Sequence, residues 1–97
     1  MPLYVTLVNW TDQGIKTFRD SVRRAEDYRG LVEKNGGQVR QLVWTLGEYD
    51  VVVVTDFPDD ETATAVALQT GALGSIRTKT MKAFDAEQMS AIIQRTG

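Results

Sequence analysis

Neither cysteine nor histidine occurs in the 97 residues. Without a thiol there is no disulfide, no thiolate nucleophile and no iron–sulfur ligation. Without an imidazole there is no histidine ligand for haem or zinc and no Ser-His-Asp triad. Long apolar runs are missing as well, and a stretch such as Val51 to Val54 falls far short of the ~18 residues of a membrane span. Nor is there an excess of one charge: 11 Lys and Arg stand against 13 Asp and Glu. A net charge of −2 gives no general pull toward nucleic acid or anionic lipid, so neither is expected as a partner. Met1-Pro2 leads straight into strand-like sequence without a basic segment, and the expected location is the cytoplasm. What remains is carboxylate, Tyr, Lys or Arg chemistry, chemistry on a bound group, or plain binding. No resident cofactor and no metal are expected.

What is present reads as one ordinary globular domain over residues 1–97, with 42% hydrophobic and 25% charged residues. Leu3 to Asn9 alternates as a strand. Thr11 suits a helix N-cap, and Gly14 predicts a short opening turn before the main helix. From Ile15 to about Asn35 the spacing of Ile15, Phe18, Val22, Ala25, Tyr28 and Val32 predicts one apolar helical stripe, ended by Asn35-Gly36-Gly37. Val39 to Leu46 and Asp50 to Phe57 are strand-like, and the short Gly47-Glu48-Tyr49 link predicts an antiparallel hairpin. Pro58-Asp59-Asp60-Glu61 opens a second helix, where Ala63, Val66, Ala67 and Leu68 form a small-residue face suited to close packing on a sheet. Ser75 to Phe84 alternates again, and Asp85 caps a last short helix carrying Met89, Ile92 and Ile93. The order β-α-β-β-α-β predicts an α+β, ferredoxin-like fold: a four-stranded antiparallel sheet, both main helices on one face, and an added C-terminal helix.

Helices on one face leave the other face of the sheet bare, and that face should be polar in a monomer. It is not. Tyr4, Thr6, Val8 and Trp10 alternate with Leu3, Val5 and Leu7, and neither set is charged. Leu42, Trp44 and Leu46 are expected on one side of the second strand, with Val39 and Val43 on the other. An apolar face of several hundred Å² is expected to be buried, either against a second copy or under the C-terminal helix of the same chain. The expected partner is therefore the protein itself, as a homodimer or higher homo-oligomer. On this reading Trp44→Glu should dissociate or unfold the assembly.

The residues so assembled resemble the GYD domain family along nearly the whole chain. The matching blocks are Tyr4-Val5-Thr6-Leu7 with Trp10-Thr11-Asp12-Gln13-Gly14, then Arg23-Arg24. Further along come Trp44-Thr45-Leu46-Gly47-Glu48-Tyr49-Asp50, Pro58-Asp59-Asp60-Glu61, and Arg77-Thr78-Lys79-Thr80 through Ala83-Phe84. The resemblance implies a dimeric α/β barrel, in which two ferredoxin-like sheets face each other. The family has no settled activity. Related barrels include small monooxygenases, haem-degrading enzymes, lactone isomerases and ligand-sensing domains, and the absence of histidine counts against the haem branch.

Five residues are candidates for a ligand site. Tyr49 and Asp50 of the signature are read either as a proton donor and base at a cavity rim or as parts of a hairpin turn. Arg77, which shares a strand face with Lys79, either holds an anionic ligand or deters edge-to-edge aggregation. Trp10 and Trp44 either stack a flat ligand or fill a core. Asp59, Asp60 and Glu61 look like a carboxylate cluster, yet their place in the first turn of a helix explains them without a cation. The expected function is an oligomeric small-molecule-binding protein. The alternatives are a cofactor-independent enzyme of the small monooxygenase or isomerase kind, using Tyr49, Asp50 and Arg77, and a module that only self-assembles.

Overall fold

Alternating β-branched and apolar residues draw Leu3–Trp10 into β1, Gln38–Trp44 into β2, Val51–Asp56 into β3 and Ile76–Ala83 into β4. The computed structural model describes residues 1–97, with helices α1 (Asp12–Lys16), α2 (Ser21–Lys34), α3 (Asp60–Ala72) and α4 (Ala86–Gln94). The strands form one sheet in the order β2-β3-β1-β4, and every neighbouring pair is antiparallel. Two helical crossovers, each skipping one strand, produce that order. This is the expected α+β, ferredoxin-like sheet with β2 and β4 at its edges.

The caps follow the sequence closely. Thr11 accepts from the Gly14 N–H, Asp59 from Thr62, and Asp85 from Gln88, whose side chain answers in a capping box. Gly36 takes a φ of +82° after α2, where only glycine sits without strain. Gly14 serves a different need. A Cβ there would lie 1.9 Å from the Ser75 carbonyl oxygen, so the residue permits α1 to lie against the chain entering β4.

Three packing expectations are corrected. First, the long helix is not continuous. Thr17, at φ −116° and ψ 33°, ends α1, and a 3-10 turn over Phe18–Asp20 precedes α2. The break shifts the helical phase, so Ile15, Phe18 and Val22 face solvent, while Tyr28, Leu31 and Val32 turn toward the sheet. Second, Val39 lies on the same side as Leu42 and Trp44, because a bulge between Val39 and Gln41 inserts one extra residue and resets the alternation. Leu46 belongs to the following loop and is fully exposed. Third, Leu68 faces solvent, and only Ala63, Val66 and Ala67 of the small-residue set turn inward.

The register assigns two faces. Tyr4, Thr6, Val8 and Trp10 face the helices with Thr55, Val53 and Val51 of β3 and Ile76, Thr78 and Thr80 of β4. Leu3, Val5, Leu7, Val43, Val52, Val54 and Met81 occupy the opposite, uncovered face. Tight packing is concentrated at one end of the helix-covered side, where Tyr4, Val32, Val39, Val53, Phe57, Ala63 and Val66 meet. The Tyr4 and Phe57 rings contact edge to face at 5.9 Å. The Tyr4 hydroxyl donates to Asp60, which Lys82 also bridges at 3.1 Å. Helix α4 makes little contact with any other element and does not fold over its own sheet. The chain measures 52 × 30 × 18 Å, with a radius of gyration of 14.6 Å. A compact chain of this length would have roughly 12.5 Å.

Candidate functional site

Between the sheet and the two long helices the chain leaves a cavity of about 480 Å³, bordered by Tyr4 and Phe57 as well as by Trp10 and Trp44. Its floor is the helix-facing side of all four strands, and its walls are α2 and α3. The cause lies in side-chain size. The middle rungs carry Thr6, Thr78, Thr80 and Val53, facing Val66, Ala67 and Thr70 of α3. None of these is large enough to span the gap between a sheet and a helix layer. Larger side chains border the rest of it: Tyr4, Tyr28, Leu31 and Phe57, and, at the ends of β1 and β2, Trp10 and Trp44. Both tryptophans of the chain therefore border the same space.

Polar groups inside are few. The Thr6 and Thr80 hydroxyls pair across β1 and β4 at 3.0 Å. Burial alone pushes the Tyr28 phenol up to about 12, which fits a ring set into an apolar wall. Ser21, Arg23, Arg24 and Asp27 from the start of α2 border the opening. Arg23 is held between Asp20 at 3.5 Å and Asp27 at 3.7 Å, whereas Arg24 donates to the Thr17 hydroxyl. A largely apolar slot with a few hydroxyls and a charged lip matches small-molecule pockets, which run from roughly 300 to 1,000 Å³.

The five candidate residues do not converge. Trp10 and Trp44 line the cavity. Asp50 stands beside it with its carboxylate engaged, accepting the Trp10 backbone N–H at 2.9 Å, while its own N–H reaches Val8 at 2.9 Å. The signature loop is tied further by Thr45, whose hydroxyl donates to the Tyr49 carbonyl at 2.6 Å, and by Asn9, which donates to the Glu48 carbonyl at 2.8 Å. The Tyr49 ring lies over the Lys79 ammonium at 5.7 Å, and Lys79 belongs to the uncovered face with Arg77. Arg77 sits on edge strand β4, along an open depression. The Gly-Glu-Tyr-Asp string thus fixes the hairpin against the end of β1 and so positions Trp10.

Sequence reasoning passes over the residues that make the cavity. Thr6, Thr78, Thr80 and Ala67 carry no expectation as lining, although their small size at consecutive inward positions is a readable signal. Arg24 enters only as half of the Arg23-Arg24 block. Among the acids, Asp59 is held below the usual carboxylate range by the Thr62 hydroxyl and N–H. Asp60 is held low by Tyr4 and then Lys82. Both are committed to helix capping or to bridging between elements.

Comparison with known proteins is consistent with this architecture. A relative in Thermus thermophilus, the glutamine synthetase and cystathionine beta-lyase binding protein, is 28% identical over 92 residues, covering 94% of this chain and 97% of that protein. The crystal structure of TTHA0845, also from Thermus thermophilus, superposes with a TM-score of 0.57 at 23% identity, over 89% of this chain and 96% of that one. The 30S ribosomal protein S6 of Thermotoga maritima gives a TM-score of 0.61 at 16% identity, over 97% and 98% of the two chains. At such identities these structural likenesses establish the fold alone. The GYD domain model matches residues 4–93, a span that takes in every sequence block quoted above, and the chain belongs to the GYD domain family.

Proposed function

We propose that this protein is a cytoplasmic, homodimeric binding protein in which each copy holds a small, mainly apolar molecule between its helices and its sheet. The observation that carries the reading is the cavity of about 480 Å³, with both tryptophans in its lining. A purely self-assembling module has no reason to leave that space unfilled. A cofactor-independent enzyme built on Tyr49, Asp50 and Arg77 needs those groups around one point, yet Asp50 is engaged by backbone and the other two belong elsewhere.

Two features support a dimer built through the uncovered sheet face, with the two sheets closing a barrel. The central strands offer Leu3, Val5, Leu7, Val52 and Val54 there, and Val43 and Met81 continue the surface to both edges. Helix α4, only nine residues long, keeps Met89 and Ile93 exposed and lies apart from its own domain. Isolated helices of that length are marginal in water, and a partner subunit supplies the missing surface. The same exposed stripe favours a second reading, in which α4 docks on another protein. The Thermus relative, a binding protein for two enzymes by its name, gives that reading its precedent.

The binding reading is tested with N-phenyl-1-naphthylamine, a neutral apolar fluorophore, added to the full chain. Its emission should rise and that of Trp10 and Trp44 should fall, saturating together. Ala67→Phe places a ring in the cavity and should weaken the probe at least about tenfold. Unchanged binding by a folded Ala67→Phe protein would remove the cavity from consideration.

A further inference from the structure

The floor of the cavity carries hydroxyls but no charge. Strand register fixes its layout. One rung runs Leu42, Val53, Thr6, Thr80 from β2 to β4, and the next runs Trp44, Val51, Val8, Thr78. No lining residue from the strands or from α3 is charged. Arg23, Arg24 and Asp27 border the space only from the first two turns of α2, where Arg23 lies between Asp20 and Asp27 and Arg24 donates to Thr17. Two of the lining hydroxyls are committed: Tyr4 donates to Asp60, and Thr70 to the Val66 carbonyl at 2.7 Å. Thr6 and Thr80 have each other, at 3.0 Å across the strand pair. That bond uses one of their two hydroxyl protons, whichever residue donates, and leaves the second for the cavity. Two oxygens so close share one acceptor position at about 2.8 Å from each.

We infer that the ligand is an uncharged carbonyl compound, a ketone or ester with an apolar body. Its carbonyl oxygen accepts from the Thr6–Thr80 pair, and its body lies over Val53 and Leu42 of the same rung. The chemistry of the floor selects the class. A carboxylate or phosphate would sit on a surface without a cation, and burying an unpaired charge is costly. A cation would find no carboxylate there. A hydrocarbon would leave the spare hydroxyl proton without an acceptor. The sheet also sets the scale: from Thr6 to Leu42 is two strand spacings, roughly 10 Å, which accommodates a body of about three fused rings. This inference rests on the cavity reading above and adds the polar group of the ligand.

The experiment compares fluorenone with fluorene, one skeleton with and without the carbonyl, by displacement of N-phenyl-1-naphthylamine from the full chain. Fluorene is the more apolar of the two, so a slot offering only apolar contact prefers it. The ketone should instead bind about three- to tenfold more tightly, the return on one neutral hydrogen bond. Fluorene-9-carboxylate should bind at least about tenfold more weakly than the ketone. The carbonyl stretch of bound fluorenone should lie below its position in cyclohexane, because the oxygen accepts a hydrogen bond. Thr6→Val/Thr80→Val keeps the side-chain shape and suits a strand, so the double variant should fold. In it the stretch should return to the cyclohexane position and fluorene should be preferred. A native chain that binds fluorene or the carboxylate at least as tightly as fluorenone overturns the assignment while the cavity stands. So does an unshifted stretch, or a double variant that still prefers the ketone. Should that variant not fold, the stretch in the native complex decides alone. If neither fluorenone nor fluorene displaces the probe, or if Ala67→Phe binds both as the native chain does, the cavity reading itself fails.

Discussion

Placing glutamates at the two exposed apolar positions of the bare sheet face, Val43 on β2 and Met81 on β4, separates assembly from folding. Val43 is 40% exposed in one copy and Met81 48%. Full burial of such a side chain is worth roughly 1.5–3 kcal/mol, so the part still open to a partner contributes about 1 kcal/mol. A two-fold interface counts each position twice. The double variant Val43→Glu/Met81→Glu therefore loses about 4 kcal/mol of association, before any cost of setting carboxylates against an apolar face. At roughly 1.4 kcal/mol per factor of ten, the dimer dissociation constant should rise about a thousandfold. Sedimentation velocity over a wide concentration range reads this directly. The thermal melt of the dissociated variant shows whether the domain survives, as expected for substitutions at positions open to water in one copy.

Trp44→Glu is the matching control. The bulge in β2 puts Trp44 on the helix side, so this change should damage ligand binding and leave the association constant alone. A native chain that sediments as a monomer at every concentration would refute the buried-face argument, and so would a double variant that associates as tightly as the native protein.

Two further outcomes follow from the site. The Tyr28 phenol is raised from 10.0 to about 12 by burial, so its contribution to stability is complete below pH 10 and is lost as pH rises toward 12. Denaturant titrations should show the native chain losing roughly 2–3 kcal/mol relative to Tyr28→Phe across that window, and a constant difference would mean that the phenol is not buried. Asp50→Ala should cost roughly 1.5–3 kcal/mol by freeing the Trp10 N–H, while Asp50→Asn keeps an acceptor and should hold probe affinity within about twofold. A loss of binding in Asp50→Asn comparable to that in Asp50→Ala would show that the negative charge matters, and would return the signature to the list of functional groups.

Local signals made most of the fold legible. Thr11, Asp59 and Asp85 announce their helices because a cap is a contact within a few residues, and the Val-rich strands announce theirs by composition. Long-range contacts decided what could not be read. Thr17 breaks the first helix in a region where α1 is pressed against Ser75, far away in sequence, and no local periodicity reports that contact. The β2 bulge is equally silent, since Gln38-Val39-Arg40-Gln41 reads as plain alternation until β3 sets the register. Of the candidate site residues, Trp10 and Trp44 line the cavity, whereas Arg77 and the Tyr49-Asp50 pair lie outside it, where long-range contacts of Tyr49 with Lys79 and of Asp50 with Trp10 engage the pair.

The cavity shows why a site of this kind is hard to see in a single sequence. Its middle is made by what the chain omits: Thr6, Thr78, Thr80, Val66 and Ala67 stand where a filled core would carry Leu, Ile or Phe. Interiors normally pack to crystalline density, so a row of small residues is usually read as close approach of two backbones. Ala63, Val66 and Ala67 invite that reading, yet all three line the cavity together with Tyr4 and Phe57. Across from them the strand residues Thr6, Thr78 and Thr80 are equally small, so neither layer fills the space between. Smallness on one layer brings layers together; smallness on both, flanked by the larger side chains of Tyr4, Phe57, Trp10 and Trp44, leaves a space between them.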